Sequence, residues 1–120
     1  MSSLQIVVGL STNGGASFNL LYKSTSKKND QATIVTGPSS TPGRGSVWIS
    51  YTDKNNNQVV QGAAVTNFGS VGPFSTAQAV TGGTNGDFGD IVVGPAGQVM
   101  VVYQNNNTTE GPDTIHMNLN

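Results

Sequence analysis

"GSVWISYTD" at residues 45–53 returns 52 positions later as "GQVMVVYQN" at residues 97–105, with Val47 matched by Val99, Trp48 by Met100 and Tyr51 by Tyr103. Each copy alternates apolar and other residues, the period of a β-strand. The segment ahead of each copy repeats as well: "ATIVTGP" (32–38) and "GDIVVGP" (89–95) lie 57 positions apart and both end in Gly-Pro. After the first pair comes "QVVQGAAVTNFGSVGPF" (58–74), which resembles the "QIVVGLSTNGGASF" of residues 5–18. A chain that writes strand pairs twice at this spacing is assembled from units.

Alternation or short apolar runs bounded by Gly, Pro and Asn predict nine strands, at 5–10, 18–23, 32–36, 46–52, 58–66, 75–80, 90–94, 98–104 and 114–119. No window sustains a helical stripe free of Gly and Pro. Composition agrees: Val, at 14, far outnumbers Leu, and Gly, Asn, Ser and Thr supply 54 of the 120 residues, the types that build turns and hairpin loops. With the strands of a unit labelled a to d, the chain reads c-d over 1–28, a complete a-b-c-d over 29–84, and a-b-c over 85–120. Four short strands recurring at about this period suggest a β-propeller blade, and the expected class is all-β with about two blades of four antiparallel strands per chain. A β-sandwich with accidentally similar hairpins is the alternative. Two blades cannot close a ring, so closure is expected from homo-oligomerisation, a trimer giving six blades.

Five basic and six acidic side chains give a formal charge of -1, with no electrostatic footprint for nucleic acid or an anionic membrane. Cysteine is absent, which removes disulfides, thiol catalysis and Cys-ligated zinc and leaves the compartment open. "MSSLQIVVGL" has neither the basic start nor the long apolar run of a signal peptide or a membrane span.

"STNGGASF" at 11–18 resembles the Asp-box of sialidase-like, bacterial-neuraminidase-repeat propellers, Ser-x-Asp-x-Gly-x-Thr-Trp. Ser11, Gly15, Ser17 and Phe18 fit the pattern, and Asn13 replaces its Asp. The expected role is structural: Asn13 caps turn amides, Gly14 and Gly15 supply positive φ, and Phe18 packs between sheets. The resemblance also implies what a sialidase would need, namely three arginines for the substrate carboxylate, a Tyr nucleophile paired with a Glu, and an Asp acid/base. Here Arg44 is the single Arg and Glu110 the single Glu. One guanidinium cannot reproduce a three-arginine cluster. No catalytic residue is therefore assigned, and Tyr51 and Tyr103 are read as packing residues.

In the blade reading, Asp30, Asp87 and Asp90 fall on d-a connections, while Asp53, Asn55, Asn57, Asn105, Asn107, Glu110 and Asp113 fall on b-c connections of the same face. Carboxylates and amides on one face suit sugar hydroxyls or calcium, against the plainer reading of solvated hairpin loops. Asp30, Asp53, Asn55, Asp87, Asp90, Glu110 and Asp113 are the candidate ligand residues. "DKNNNQ" (53–58) lacks the Gly and Glu of an EF-hand loop. His116 has no second His or Cys to share a metal, so no metal and no cofactor is expected. Trp48, on a central strand, is expected to be buried rather than to stack on a sugar. "NNNTT" (105–109) holds formal glycosylation triplets.

The functional expectation is a non-catalytic, self-assembling sialidase-like module whose partners are its own copies and a glycan or protein met by the loop face. The alternatives are a sialidase-type hydrolase with a site shared between subunits, or an excised or engineered propeller fragment with no ligand. The family points to an extracellular setting.

Overall fold

The computed structural model describes residues 4–105 and 114–119, and among them every regular element is a β-strand. The strands are β1 (Val7–Leu10), β2 (Asn19–Lys23), β3 (Asp30–Pro38), β4 (Gly45–Thr52), β5 (Asn57–Asn67), β6 (Ser70–Val71), β7 (Gln78–Thr84), β8 (Gly86–Val93), β9 (Val99–Asn105) and β10 (Ile115–Leu119). All nine expected strands are present. The expected all-β class holds, and the two-residue β6 is an addition.

Every strand pairing is antiparallel, and the strands form three sheets. The hairpin β1–β2 stands alone. β3, β4 and β5 form a meander whose far side is paired by β6 at one end of β5 and by β7 at the other. The last sheet runs β8-β9-β10. β7 extends to Thr84, beyond the expected end at residue 80, because its glycines belong to the strand: Gly82 takes φ +76°, and a Cβ on Gly83 would lie 2.8 Å from the Val80 carbonyl oxygen.

The three sheets stack as layers with the β3–β7 sheet in the middle. Alternate positions of β4 serve opposite faces. Ile49 and Tyr51, with Val59 of β5, join Val8 of the hairpin in one buried cluster, to which Ile6, Leu21, Tyr22 and Phe74 add their side chains. Trp48, Val35 and Val60 pack on the other side, against Ile91, Val99, Val101, Tyr103 and Val80. Tyr51 and Tyr103, only 4 % and 2 % exposed, are packing residues as expected. Each phenol keeps a partner, Gln61 Oε1 at 2.8 Å for Tyr51 and the Thr81 carbonyl at 2.9 Å for Tyr103.

Polar residues between the layers are fitted by hydrogen bonds and by glycine. Gln58, fully buried, donates from its amide to Ser50 Oγ, and Gly89 of β8 lies so close that a Cβ there would strike the Gln58 amide. Neighbouring layers approach most closely along β3 and β8, where a Cβ on Gly37 would fall 2.7 Å from Val93 Cβ. At the opposite side the third sheet ends with β10, and the layers part into a crevice of about 310 Å³ lined by Trp48, Val60, Val80, Thr81, Val101 and Asn118. Trp48 is half-buried, its ring lying over Gly62.

That seat generates a stability test. A Cβ at residue 62 would stand 2.6–2.8 Å from three atoms of the indole ring. Gly62→Ala is expected to lower stability by about 1–3 kcal/mol through overpacking, read as a lower urea midpoint and a shifted Trp48 emission. An unchanged midpoint and spectrum would show that the ring sits elsewhere.

Candidate functional site

Three of the carboxylates singled out in the sequence, Asp30, Asp53 and Asp87, gather around the β4–β5 end of the stack, and Thr52 is their meeting point; Asp90 lies further along β8, opposite Val102. Thr52 pairs with Asp30 across β3–β4, precedes Asp53 in the chain, and has its Oγ1 3.4 Å from Asp87 Oδ1 and 3.3 Å from the Gly86 carbonyl oxygen. Three elements thus bring Asp30, Asp53 and Asp87 to one edge. Arg44 lies at the far end of β4, roughly 25 Å away at the rise of an extended strand. Glu110, Asp113 and Asn107 lie outside the described residues.

Each carboxylate serves the backbone beside it. Asp53 Oδ1 accepts from the amides of Asn55 (2.7 Å) and Asn57 (2.9 Å), closing the β4–β5 turn in which Asn56 takes φ 59°. Asp30 Oδ1 accepts from the Gln31 amide at 2.8 Å, Asp87 Oδ1 from the Phe88 amide at 3.0 Å and Asp90 Oδ1 from the Ile91 amide at 2.8 Å. Asn55 is exposed at the turn. Among the described residues, no three His, Cys, Asp or Glu side chains are grouped so as to hold a metal ion.

Asp30, Asp87 and Asp90 were expected on loops, and the structure places them within strands, at the start of β3 and inside β8. The reason is a bulge written twice. Between Asp30 and Thr33 the pairing with β4 slips by one residue, and between Asp87 and Asp90 the pairing with β9 slips in the same way. In both, the residue after the first Asp is a non-glycine in the left-handed region, Gln31 at φ 52° and Phe88 at φ 50°. Such a residue costs on the order of 1–2 kcal/mol, and the preceding carboxylate offsets part of that by accepting its amide proton. The two bulges also touch, since Gln31 Oε1 accepts from the Phe88 amide at 2.6 Å. The readable signal is Asp-x-x-x-Ile-Val-x-Gly-Pro, present at 30–38 and again at 87–95.

The Asp-box-like turn has the expected internal bonding. Ser11 Oγ accepts from the Gly15 amide at 2.8 Å and donates to Asn13 Oδ1 at 2.9 Å, which in turn accepts from the Ser17 amide at 3.0 Å. Asn13 Nδ2 donates to Ser17 Oγ at 2.9 Å, where the Asp of the usual pattern would instead accept from the hydroxyl. Gly14 and Gly15 take φ 70° and 91°. Phe18 differs from expectation. It is 67 % exposed and lies across Gly9 on the outer face of the hairpin, where no further sheet among the described residues stands to receive it.

The remaining aromatic and titratable candidates are structural. Burial first, then Tyr22 and the nearby Asp53 charge, push the Tyr51 phenol well above the ordinary tyrosine range, the opposite of what activates a nucleophile. His116 is on β10, stacked on Tyr103 with ring centroids 5.1 Å apart. Sequence reasoning did not single out Ser24 and Asn29, both buried. Asn29 Nδ2 donates to Ser24 Oγ at 2.8 Å, and that hydroxyl accepts from the Ile6 amide at 3.0 Å, tying the hairpin to the start of β3.

Gly15→Val tests the turn cleanly, because open space surrounds Gly15 and only its φ opposes a side chain. The expected loss is about 1–3 kcal/mol, read as a lower melting temperature. Unchanged melting would mean that the turn takes another conformation.

No family model, no curated protein and no solved structure matches the chain, so the sialidase-like resemblance rests on the turn and the repeat alone.

Proposed function

We propose that the chain is a non-catalytic, self-assembling module of sialidase-like propeller blades, which recognises a glycan or a protein through the edge that carries Asp30, Asp53, Asn55 and Asp87. The observation that carries this reading is the repeat at atomic detail: the same strand pair, the same Asp-anchored bulge and the same order of packing recur in the second and third sheets. Each sheet falls inside one of the units 1–28, 29–84 and 85–120, with two, five and three strands respectively. The outer sheets are thus short of strands that a neighbouring copy carries. β8–β9 carry the a-b pair that the hairpin lacks and β2 the d strand that the third sheet lacks; because β10 already pairs with β9 in the c place, either β1 or β10 is displaced or forms an extra outer edge in the shared sheet.

Two features support recognition over hydrolysis. The carboxylates of the Thr52 edge already hold turns and bulges, which makes them fixed acceptors for hydroxyl groups rather than free acids and bases. Arg44 precedes β4, at the opposite end of that strand from them, where it cannot join them on one substrate.

An array of neutral and sialylated glycans, with a fluorogenic sialoside assay in parallel, tests the proposal. The expected result is glycan binding without release of fluorophore, with binding lost in Asn55→Ala at unchanged melting temperature. Fluorophore release would instead favour the hydrolase. Binding untouched by Asn55→Ala and Asp30→Asn together would remove the Thr52 edge as the site.

A further inference from the structure

Ile34 and Ile91 occupy the same position of the repeat, 57 residues apart, one on β3 and one on β8. Ile91 is 6 % exposed and Ile34 is 58 % exposed. Their own sheets do not explain the difference, since both sit one strand from a matching β-branched partner, Ile49 for Ile34 and Val101 for Ile91. What differs is the layer in front. Ile91 faces the central sheet, with Val35, Trp48 and Val60 packed on its cluster. Ile34 faces the side covered only by the two-stranded hairpin, which reaches Ile49, Tyr51 and Val59 and leaves an open groove along β3, lined by Val7, Val8, Thr33, Ile34 and Ile49.

A matching surface lies uncovered at the other end of the stack. On the outer face of the third sheet, Val92 pairs with Met100, Met100 with Leu119, and Val102 with Met117, so these side chains share one face. Val92, Met117 and Leu119 are 45 %, 67 % and 67 % exposed. In the repeat, Val92 and Met100 correspond to Val35 and Trp48, the residues that cover Ile91 inside the chain. The chain therefore carries both halves of one contact and makes it once internally, leaving an unfilled socket at Ile34 and an unused plug at Val92 and Met100.

We propose that the occupant of the Ile34 groove is a second copy of this chain, docked through the Val92–Met100 face of its β8–β9 pair beside β1. The contact is head-to-tail, continuing between copies the layer order found within one, and it rests on the self-assembly reading above. Charge does not oppose the approach, because the residues named on the two faces are all uncharged.

Ile34→Asp and Val92→Asp each put a carboxylate on one half of the contact at an exposed strand position, and circular dichroism with thermal melting checks that each variant is folded. Light scattering is expected to give a closed multiple of 12.3 kDa for the unaltered chain, a monomer for each variant alone, and a dimer for their equimolar mixture. The mixture is the decisive arm, since only a head-to-tail contact leaves one intact socket on one variant and one intact plug on the other. An unaltered chain that is monomeric would end the self-assembly reading itself. Variants that assemble like the unaltered chain would overturn this contact alone, and monomeric variants whose mixture stays monomeric would show a self-complementary interface instead. If either Asp variant proves unfolded, the chain's lack of cysteine allows a second measurement. Oxidised or cross-linked mixtures of Ile34→Cys and Val92→Cys are expected to give a mixed dimer, and its absence would count against the proposal.

Discussion

The structure depends on burying both faces of one strand. β4 sends Val47, Ile49 and Tyr51 to one side and Trp48, Ser50 and Thr52 to the other, and apart from the half-buried Trp48 all of these are buried. A strand in that position cannot keep a solvated polar face, so its hydroxyl side chains are bonded within the stack, while the buried Trp48 indole N–H has no partner. Ser50 accepts from Gln58, Tyr51 donates to Gln61, and Thr52 reaches the Gly86 carbonyl of the third sheet. The glycines follow from the same demand. Gly37 and Gly89 stand where a Cβ would strike Val93 or the Gln58 amide across layers, and Gly62 leaves room for the Trp48 ring of the strand beside it.

The paired bulges show how the repeat is maintained at a point of strain. Two non-glycine residues in the left-handed region, each costing of the order of a kcal/mol or more, are retained at matching positions with a carboxylate on the preceding residue in both. The bulge lets Asp30 and Asp87 reach the edge at Thr52 while Thr33 and Asp90 resume the ladder two partners further along. A bulge can re-aim a side chain at the rim of a sheet. In this protein it also joins the layers, through the bond from the Phe88 amide to Gln31.

Much of this was legible in the sequence, and the misses have local causes. Strand positions followed from alternation because most of the core is apolar on a period of two, and the matched tyrosines at 51 and 103 marked equivalent buried sites. The bulges were not legible from alternation, since an extra residue shifts the period for the length of the bulge. The expected strands began at Ala32 and Asp90, past Asp30 and Asp87, which anchor the bulges. Loop assignments for Asp30 and Asp87 failed for the same reason, whereas Asp90, put on a connection, already began the expected strand 90–94. Phe18 was misplaced because its pattern says only that an aromatic side chain follows the turn, whereas its burial depends on whether another layer faces it. The division of labour at Thr52, with carboxylates holding their own backbone amides, needs three elements brought together and has no signature in any one segment.

If the central sheet is the part on which the outer layers depend, its amides should be released only when the whole chain unfolds. Native-state hydrogen exchange measures this directly. The account predicts the slowest exchange at the hydrogen-bonded amides of β4 and β5, around Ile49, Tyr51 and Val59, with β2 and β10 exchanging well ahead of them. Protection of β4 no greater than that of β10 would contradict it.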